Sequence, residues 1–166
     1  MNLIDCSYFY VGPLQIMNAR PIDDLDNNAI AVQEMISCYV KRYQGEFLSK
    51  MLGETLAGQV SAYLASFDGF SSERDSGMEE LCGKLRPSYA HYVYCKIAGD
   101  ANQTMTATGL VALKSANAYQ VPRQRMVKVW NDMVELNKGF VAWAEKSDYE
   151  VYYQVEMVTP VNQFNL

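Results

Sequence analysis

Apolar residues recur at steps of three and four along five stretches of the chain, the spacing of one face of an α-helix. The first stretch runs from about Asn28 to Leu52, and Gly53 follows it at a position where glycine commonly ends a helix. The second covers 54–67. A short third helix over 78–85 is predicted to stop at Arg86-Pro87, because proline favours the first turn of a new helix. The fourth helix, 87–98, is apolar nearly all round, so it is expected at the centre of the core.

The last predicted helix begins at Pro122 and extends to about Lys146. Its apolar residues form two stripes, one of Met126, Val129, Met133, Leu136, Phe140 and Trp143, the other of Trp130, Val134 and Val141. A helix with two apolar faces must contact two neighbours. The second neighbour is either another part of the same domain or a second subunit, and the pattern fits both.

The stretch NQTMTATGLVALKSANAYQVPRQR, residues 102–125, has no regular pattern, although helices are predicted on both sides. Connections of this length inside a compact domain are usually functional or disordered. Leu110, Val111 and Leu113 give it an apolar centre, which argues against disorder. We therefore predict that 102–121 form an extended arm or β-hairpin that docks on its own body or on a neighbour.

Together these stretches predict one mainly α domain. It is a bundle of about four to five helices with the arm or β-hairpin and a short C-terminal strand. The strand is predicted over 149–158, which alternates in places and is rich in β formers. The predicted order is an N-terminal extended segment (1–27), a helical core (28–98), the arm (99–121), the long helix (122–146) and the C-terminal strand and tail (147–166). No apolar run approaches the ~20 residues that span a bilayer, and the first residues lack a signal peptide's features, which predicts a cytosolic origin.

Charge is distributed unevenly along the chain. The net charge of −5 argues against a sequence-independent grip on nucleic acid, although it suits a conduit past which DNA slides. Between Ile97 and Asn131 there is one acid, Asp100, against four basic residues, which are Lys114, Arg123, Arg125 and Lys128. The acidic surplus lies at 23–26 and 148–156. This separation suits head-to-tail contact between copies; the alternative is an ordinary solvated helix start.

The chain offers little catalytic chemistry. His91 is the single histidine, and Cys95 lies four residues later on the same helix face. A Cys-His pair is sterically allowed there, but no third, orienting group is nearby in sequence, so a structural histidine is favoured. The four cysteines lack the spacing of a zinc or redox motif and are expected to be reduced thiols. No metal site, cofactor or glycine-rich phosphate loop is predicted.

Two stretches carry a family resemblance. The first is YFYVGPLQIMN followed, after a loop, by VKRYQGEFLSKMLGETL, and the second is SYAHYVYCKIAGDANQTMTATGLVALKSANAYQVPRQRMVKVWNDMVELN. Together they cover most of 8–138 and resemble small proteins encoded among the head and neck genes of tailed phages and prophages of Bacteroidales. That family has a Tyr/Phe-x-G-x-L-x-I-x-N opening, a Y-x-Y helix, a T/G-rich stretch with Asn-Ala and an R-x-[KR]-M-V-x-x-W-N-x-M-V helix. These motifs are structural rather than catalytic.

The resemblance implies a head–tail connector, or adaptor, which is a non-enzymatic virion protein assembled in the bacterial host cytoplasm. Such proteins form a homo-oligomeric ring, commonly of about twelve copies, beneath the portal protein. The ring extends the channel through which genomic DNA passes without specific binding, and later neck and tail proteins dock on it. No membrane and no cofactor are involved. The residues expected to make contacts are Thr108, Leu110, Val111, Leu113, Lys114, Arg123, Arg125 and Lys128.

The chain departs from the family in its long 68–77 loop and its strand-like C-terminal tail, which leaves the tail-side partner open. Two alternatives to the connector function remain open. One is a different phage neck protein, such as a stopper or tail-completion protein. The other is a small cytosolic enzyme that uses Cys95 and His91.

Overall fold

A computed structural model describes residues 1–21, 27–66, 75–101 and 123–162, and the backbone of 103–106 and 109–112. The described part is mainly helical, which confirms the predicted helical bundle. Its four α-helices are α1 (Asn27–Leu52), α2 (Glu54–Ala65), α3 (Ser76–Ala101) and α4 (Arg123–Ala144). Within the described ranges, none of these helices is both long and apolar enough to cross a membrane.

The predicted helix break at Arg86-Pro87 is wrong, because α3 continues through Pro87 to Ala101. Proline lacks an N–H, so the carbonyl of Gly83 loses its helical partner. Both Pro87 and Gly83 are exposed, so water can bond that carbonyl. The residues beside the proline, Leu85 and Ser88, are fully buried. Their burial holds the helix together despite a local cost of about 3 kcal/mol for proline.

The second half of α3 forms the centre of the core, as its composition predicted. Tyr89 and Tyr92 are buried, and both rings pack on Phe47 of α1, at centroid distances of 4.9 Å and 5.5 Å. The Tyr89 hydroxyl donates a hydrogen bond to the backbone carbonyl of Val40. Burial raises the pKa of both tyrosines, so both stay neutral donors. α3 is therefore fixed to α1 by aromatic packing and by a buried hydrogen bond.

The N-terminal segment, predicted to be extended, contains a helical turn. Cys6–Phe9 form a short 3₁₀-helix, which begins where the Asp5 carboxylate accepts a hydrogen bond from the backbone N–H of Ser7. Phe9 is fully buried, and its carbonyl accepts from the N–H of Ile16. The segment is held against α1, because the Cys6 thiol donates to the carbonyl of Gln33 and the N–H of Leu3 donates to the Gln44 side chain.

The predicted C-terminal strand is wrong. Residues 149–154 lie outside any helix or strand, and Val155–Met157 form a short 3₁₀-helix. The N–H groups of Tyr152 and Gln154 donate to the carbonyls of Leu52 and Lys50, at 3.3 Å and 2.8 Å. The last carbonyls of a helix have no partner within the helix. The N–H groups of this segment therefore satisfy the end of α1 instead of a neighbouring strand.

The second apolar face of α4 contacts the chain's own C-terminal segment at its middle and α3 at Trp130, whose ring lies 6.3 Å from that of Tyr92. Asn131 exchanges two hydrogen bonds with the backbone of Val161, at 2.8 Å and 3.1 Å. Asn137 donates to the carbonyl of Met157 at 2.7 Å. Val134, which lies between these two amides on the helix, is fully buried. Of the two neighbours that the sequence allowed for this face, the structure shows the intramolecular one.

Two short strands follow α3. β1 (Gln103–Thr106) and β2 (Gly109–Ala112) pair antiparallel, with Thr106 opposite Gly109. Most of the predicted 102–121 arm, including 113–121, lies outside the described residues. The arm as a docking element therefore stays a prediction.

A buried polar bridge connects three parts of the fold. Ser88 on α3 and Asn137 on α4 are both fully buried, and their side chains hydrogen-bond each other. Asn137 also donates to the carbonyl of Met157, which belongs to a residue that is itself fully buried. Each polar group is satisfied by another, as burial requires.

Replacing Asn137 with Ala should destabilise the protein by about 2–4 kcal/mol, because the Ser88 hydroxyl and the Met157 carbonyl would both be left buried without a partner. Urea denaturation followed by circular dichroism measures this change. Asn131→Ala is the matched control, since its partner Val161 is exposed and water can replace the lost amide. Equal, small effects of the two substitutions would contradict the role of the buried bridge.

Gly53 ends α1, as the sequence predicted, with a left-handed φ of +76°. A Cβ built on Gly53 would lie 3.0 Å from the Cβ of Tyr152. Gly53→Ala should therefore destabilise the fold by at least about 1–2 kcal/mol. Gly58→Ala is the opposite case, because Gly58 lies inside α2 with open space around it; it should stabilise by about 0.5–1 kcal/mol. Thermal denaturation of the two variants tests this prediction. A shift of both melting temperatures in the same direction would contradict it.

Candidate functional site

The start of α4 is a basic surface formed by Arg123, Arg125 and Lys128, all exposed. The first turn of the helix contains no acidic residue. Lys128 forms an ion pair with Asp132 at 2.7 Å, on the outer face of the helix. Within the described residues, Arg123 forms no ion pair. Of Arg123 and Lys128, only Arg123 therefore lacks an ion-pair partner among the described residues.

Arg125 is held by its own chain. Its guanidinium donates to the carbonyl of Pro13 at 3.1 Å and lies 5.5 Å from the centroid of the Tyr94 ring. Burial raises the pKa of Tyr94, and the positive charge of Arg125 opposes that rise without cancelling it. Arg125 therefore joins α4 to α3 and to the N-terminal segment. This role was not predicted, because nothing in the local sequence relates residues 13, 94 and 125.

The other end of α4 is acidic. Glu145 follows the last helical residue, and Asp148 and Glu150 come shortly after; all three are exposed, with Lys146 as the one base among them. The helix has 22 residues, so the two ends lie about 33 Å apart. A helix is stabilised by acids at its N-terminus and bases at its C-terminus, and each such charge contributes about 0.3–1 kcal/mol. The charges of α4 have the reverse arrangement. Helix stability therefore does not explain the charges.

The remaining candidate contact residues lie at or beyond the hairpin. Leu110 and Val111 belong to β2, where they pair with Met105 and Thr104. Thr108, Leu113 and Lys114 lie outside the described residues. The nearby acid, Asp100 at the end of α3, accepts a hydrogen bond from the Tyr39 hydroxyl at 2.7 Å. Burial, together with this bond, raises the pKa of Tyr39 to about 12.

His91 and Cys95 lie one turn apart on α3 but have separate partners. His91 Nδ1 is 2.7 Å from the carbonyl of Pro87, in the preceding turn. The Cys95 thiol faces the carbonyl of Met126 at 4.0 Å, and burial raises its pKa to about 12. A thiolate is the reactive form of cysteine, so this environment opposes activation. Within the described ranges, no three potential ligands come together to hold a metal ion.

A charged cluster between α1, α3 and the C-terminal segment was not predicted. Glu46 accepts a hydrogen bond from Tyr92 at 2.7 Å and pairs with Lys50 at 3.1 Å and Lys96 at 3.4 Å, while Lys50 also reaches Glu156 at 2.7 Å. Burial would raise the pKa of Glu46, but these partners outweigh it and lower the pKa. The Glu46–Lys50 pair has the helical spacing of four, which the sequence shows. The contacts of Glu46 with Tyr92 and Lys96, and of Lys50 with Glu156, join residues far apart in the sequence, so no local sequence pattern predicts them.

No protein-family model matches the chain, and neither a curated protein nor a solved structure matches it. The resemblance to phage connectors therefore stays a prediction from the motifs in residues 8–138. The helical fold and the charges of α4 are the further observations that bear on function.

The Cys95 thiol should resist alkylation at a pH where the exposed Cys38 reacts. With its pKa raised from 9.0 to about 12, Cys95 becomes a thiolate in the folded chain only in strong alkali. The unfolded chain loses this proton near pH 9, so the stability that the protonated thiol contributes is complete below pH 9 and falls as the pH rises toward 12. Timed iodoacetamide labelling with peptide mass spectrometry measures both rates. A labelling midpoint for Cys95 below ~8.5 would favour the enzyme alternative.

Proposed function

We propose that this chain is a non-enzymatic virion protein, a phage head–tail connector that forms a ring beneath the portal and extends the DNA channel. The motifs that cover most of 8–138 support this proposal, and so does the mainly helical bundle in which they lie. The net charge of −5 suits a channel whose wall does not retain phosphates.

The charge arrangement of α4 is the observation that carries the proposal. Arg123 and Lys128 lie at one end of a rigid helix, and Glu145, Asp148 and Glu150 lie at or just beyond the other. Contact between unlike ends of successive copies is heterologous, and a heterologous contact that closes produces a ring. Because the charges oppose helix stability, a role between molecules accounts for them better than a role within the molecule.

The hairpin region supplies the second contact of the proposed assembly. β1 begins two residues after α3 ends, and the basic start of α4 follows the hairpin along the chain. In this proposal, residues 102–121 dock on a neighbour or on the portal, and Arg123 and Lys128 help to fix the register.

A different neck role, such as a stopper or tail-completion protein, would use the same physical contacts at another level of the neck. The enzyme alternative depends on Cys95, whose raised pKa weighs against it.

Replacing residues 104–118 with a Gly/Ser linker of equal length should leave a folded helical chain that no longer forms rings with the portal protein of the same phage. The physical reason is that α1–α4 make their core contacts without this segment, whereas the proposed docking contacts are lost. Circular dichroism checks the fold, and negative-stain electron microscopy of the mixture counts rings.

An equal-length Gly/Ser replacement of residues 68–74 serves as the matched control, because it also changes a connection between two helices. It should leave ring formation intact. Unchanged rings in the 104–118 variant would remove the arm from the assembly mechanism, and an absence of rings with the unmodified chain would contradict the connector proposal itself.

A further inference from the structure

A groove lies where the C-terminal segment crosses the corner between α1 and α2. It has a volume of about 510 Å³. Leu52, Leu56 and Tyr152 contribute its apolar lining, and Tyr152 is 64% exposed. Carboxylates stand around it, from Glu54 on α2 and from Asp148 and Glu150 on the C-terminal segment.

The groove is rigidly built. The N–H of Tyr152 bonds the last carbonyl of α1, and the Tyr152 side chain packs at the left-handed Gly53. The Tyr152 hydroxyl donates to the Glu150 carboxylate, which fixes both side chains at the rim. On the other side, Tyr149 stacks on Trp143 at a centroid distance of 6.0 Å. These contacts fix the side chains that line the groove.

The carboxylates of the groove have no basic partner of their own. Across the described ranges, Glu54, Asp148 and Glu150 form no ion pair with a lysine or arginine. Exposed carboxylates next to an aromatic face bind guanidinium groups well, because arginine can stack on the ring and donate to the carboxylate at the same time. The groove therefore fits a basic partner surface that presents an arginine.

We infer that this groove receives the basic start of α4, Arg123 and Lys128, from a second copy of the chain. The chain's own Arg123 cannot reach it, because the groove lies beyond the far end of α4, about 33 Å away. The two surfaces have complementary charge. Among the described residues, neither Arg123 nor any of the three carboxylates forms an ion pair. This inference rests on the proposed function and adds to it the surface on each copy that makes the head-to-tail contact.

Charge reversal of each surface, alone and together, tests the contact. Arg123→Glu with Lys128→Glu places acid against acid, and Asp148→Lys with Glu150→Lys places base against base. Each pair should weaken self-association by about tenfold or more at low salt, because attraction becomes repulsion. The variant with all four substitutions should restore it, as should mixing the two paired variants. Sedimentation velocity of the chain alone, and electron microscopy with the portal protein, measure association.

Lys41→Glu with Lys138→Glu is the matched control, since it makes the same charge change at exposed positions of α1 and mid-α4. It should assemble like the unmodified chain. The inference is overturned if either paired reversal leaves assembly unchanged. It is also overturned if the variant with all four substitutions does not restore assembly. Neither outcome contradicts the connector proposal. Association restored only as a two-fold dimer supports this contact but contradicts the ring. Failure of the unmodified chain to associate, alone and with the portal, overturns both.

Discussion

The side chain of Asn137 is the point on which the arrangement of this fold depends. It is fully buried, it hydrogen-bonds Ser88 of α3, and it donates to the carbonyl of Met157. Apolar packing alone would let α4 slide or rotate against α3 at modest cost, because apolar contacts have little direction. A buried amide has to find its partners, so it fixes one register. The path of the C-terminal segment follows from that register.

Because the C-terminal segment is fixed at Met157, it can complete two surfaces that the helices leave unfinished. It covers Val134 on the second face of α4, and its N–H groups satisfy the carbonyls at the end of α1. The ion pair between Lys50 and Glu156 adds a further link between the same two parts of the chain. The groove at the α1–α2 corner exists because this segment passes there. The proposed assembly surface is thus a product of the same packing that stabilises the monomer.

The charges of α4 conflict with the stability of the isolated helix. Its first turn is basic and its C-terminal end is acidic, so both ends oppose the helix dipole. The helix forms nevertheless, because Val129, Met133 and Phe140 are buried against the core. Burial of each such side chain contributes about 1.5–3 kcal/mol, which exceeds the electrostatic cost at the ends. A helix held by packing is free to carry charges that serve contacts with other molecules.

The amino-acid sequence determined that the ranges of α1, α2, α3 and α4 are helical, the end of α1 at Gly53 and the central position of residues 87–98, since periodicity and glycine conformation act locally. It misplaced a break at Pro87, because exposure of the freed Gly83 carbonyl to water depends on where that helix lies in the bundle. It predicted a strand over residues 149–158, because side-chain alternation does not specify which acceptors the backbone N–H groups find. The partners of Asn137, Arg125 and Glu46 lie far away in sequence. Only the tertiary structure decided these contacts, because each requires packed helices to bring the two groups together.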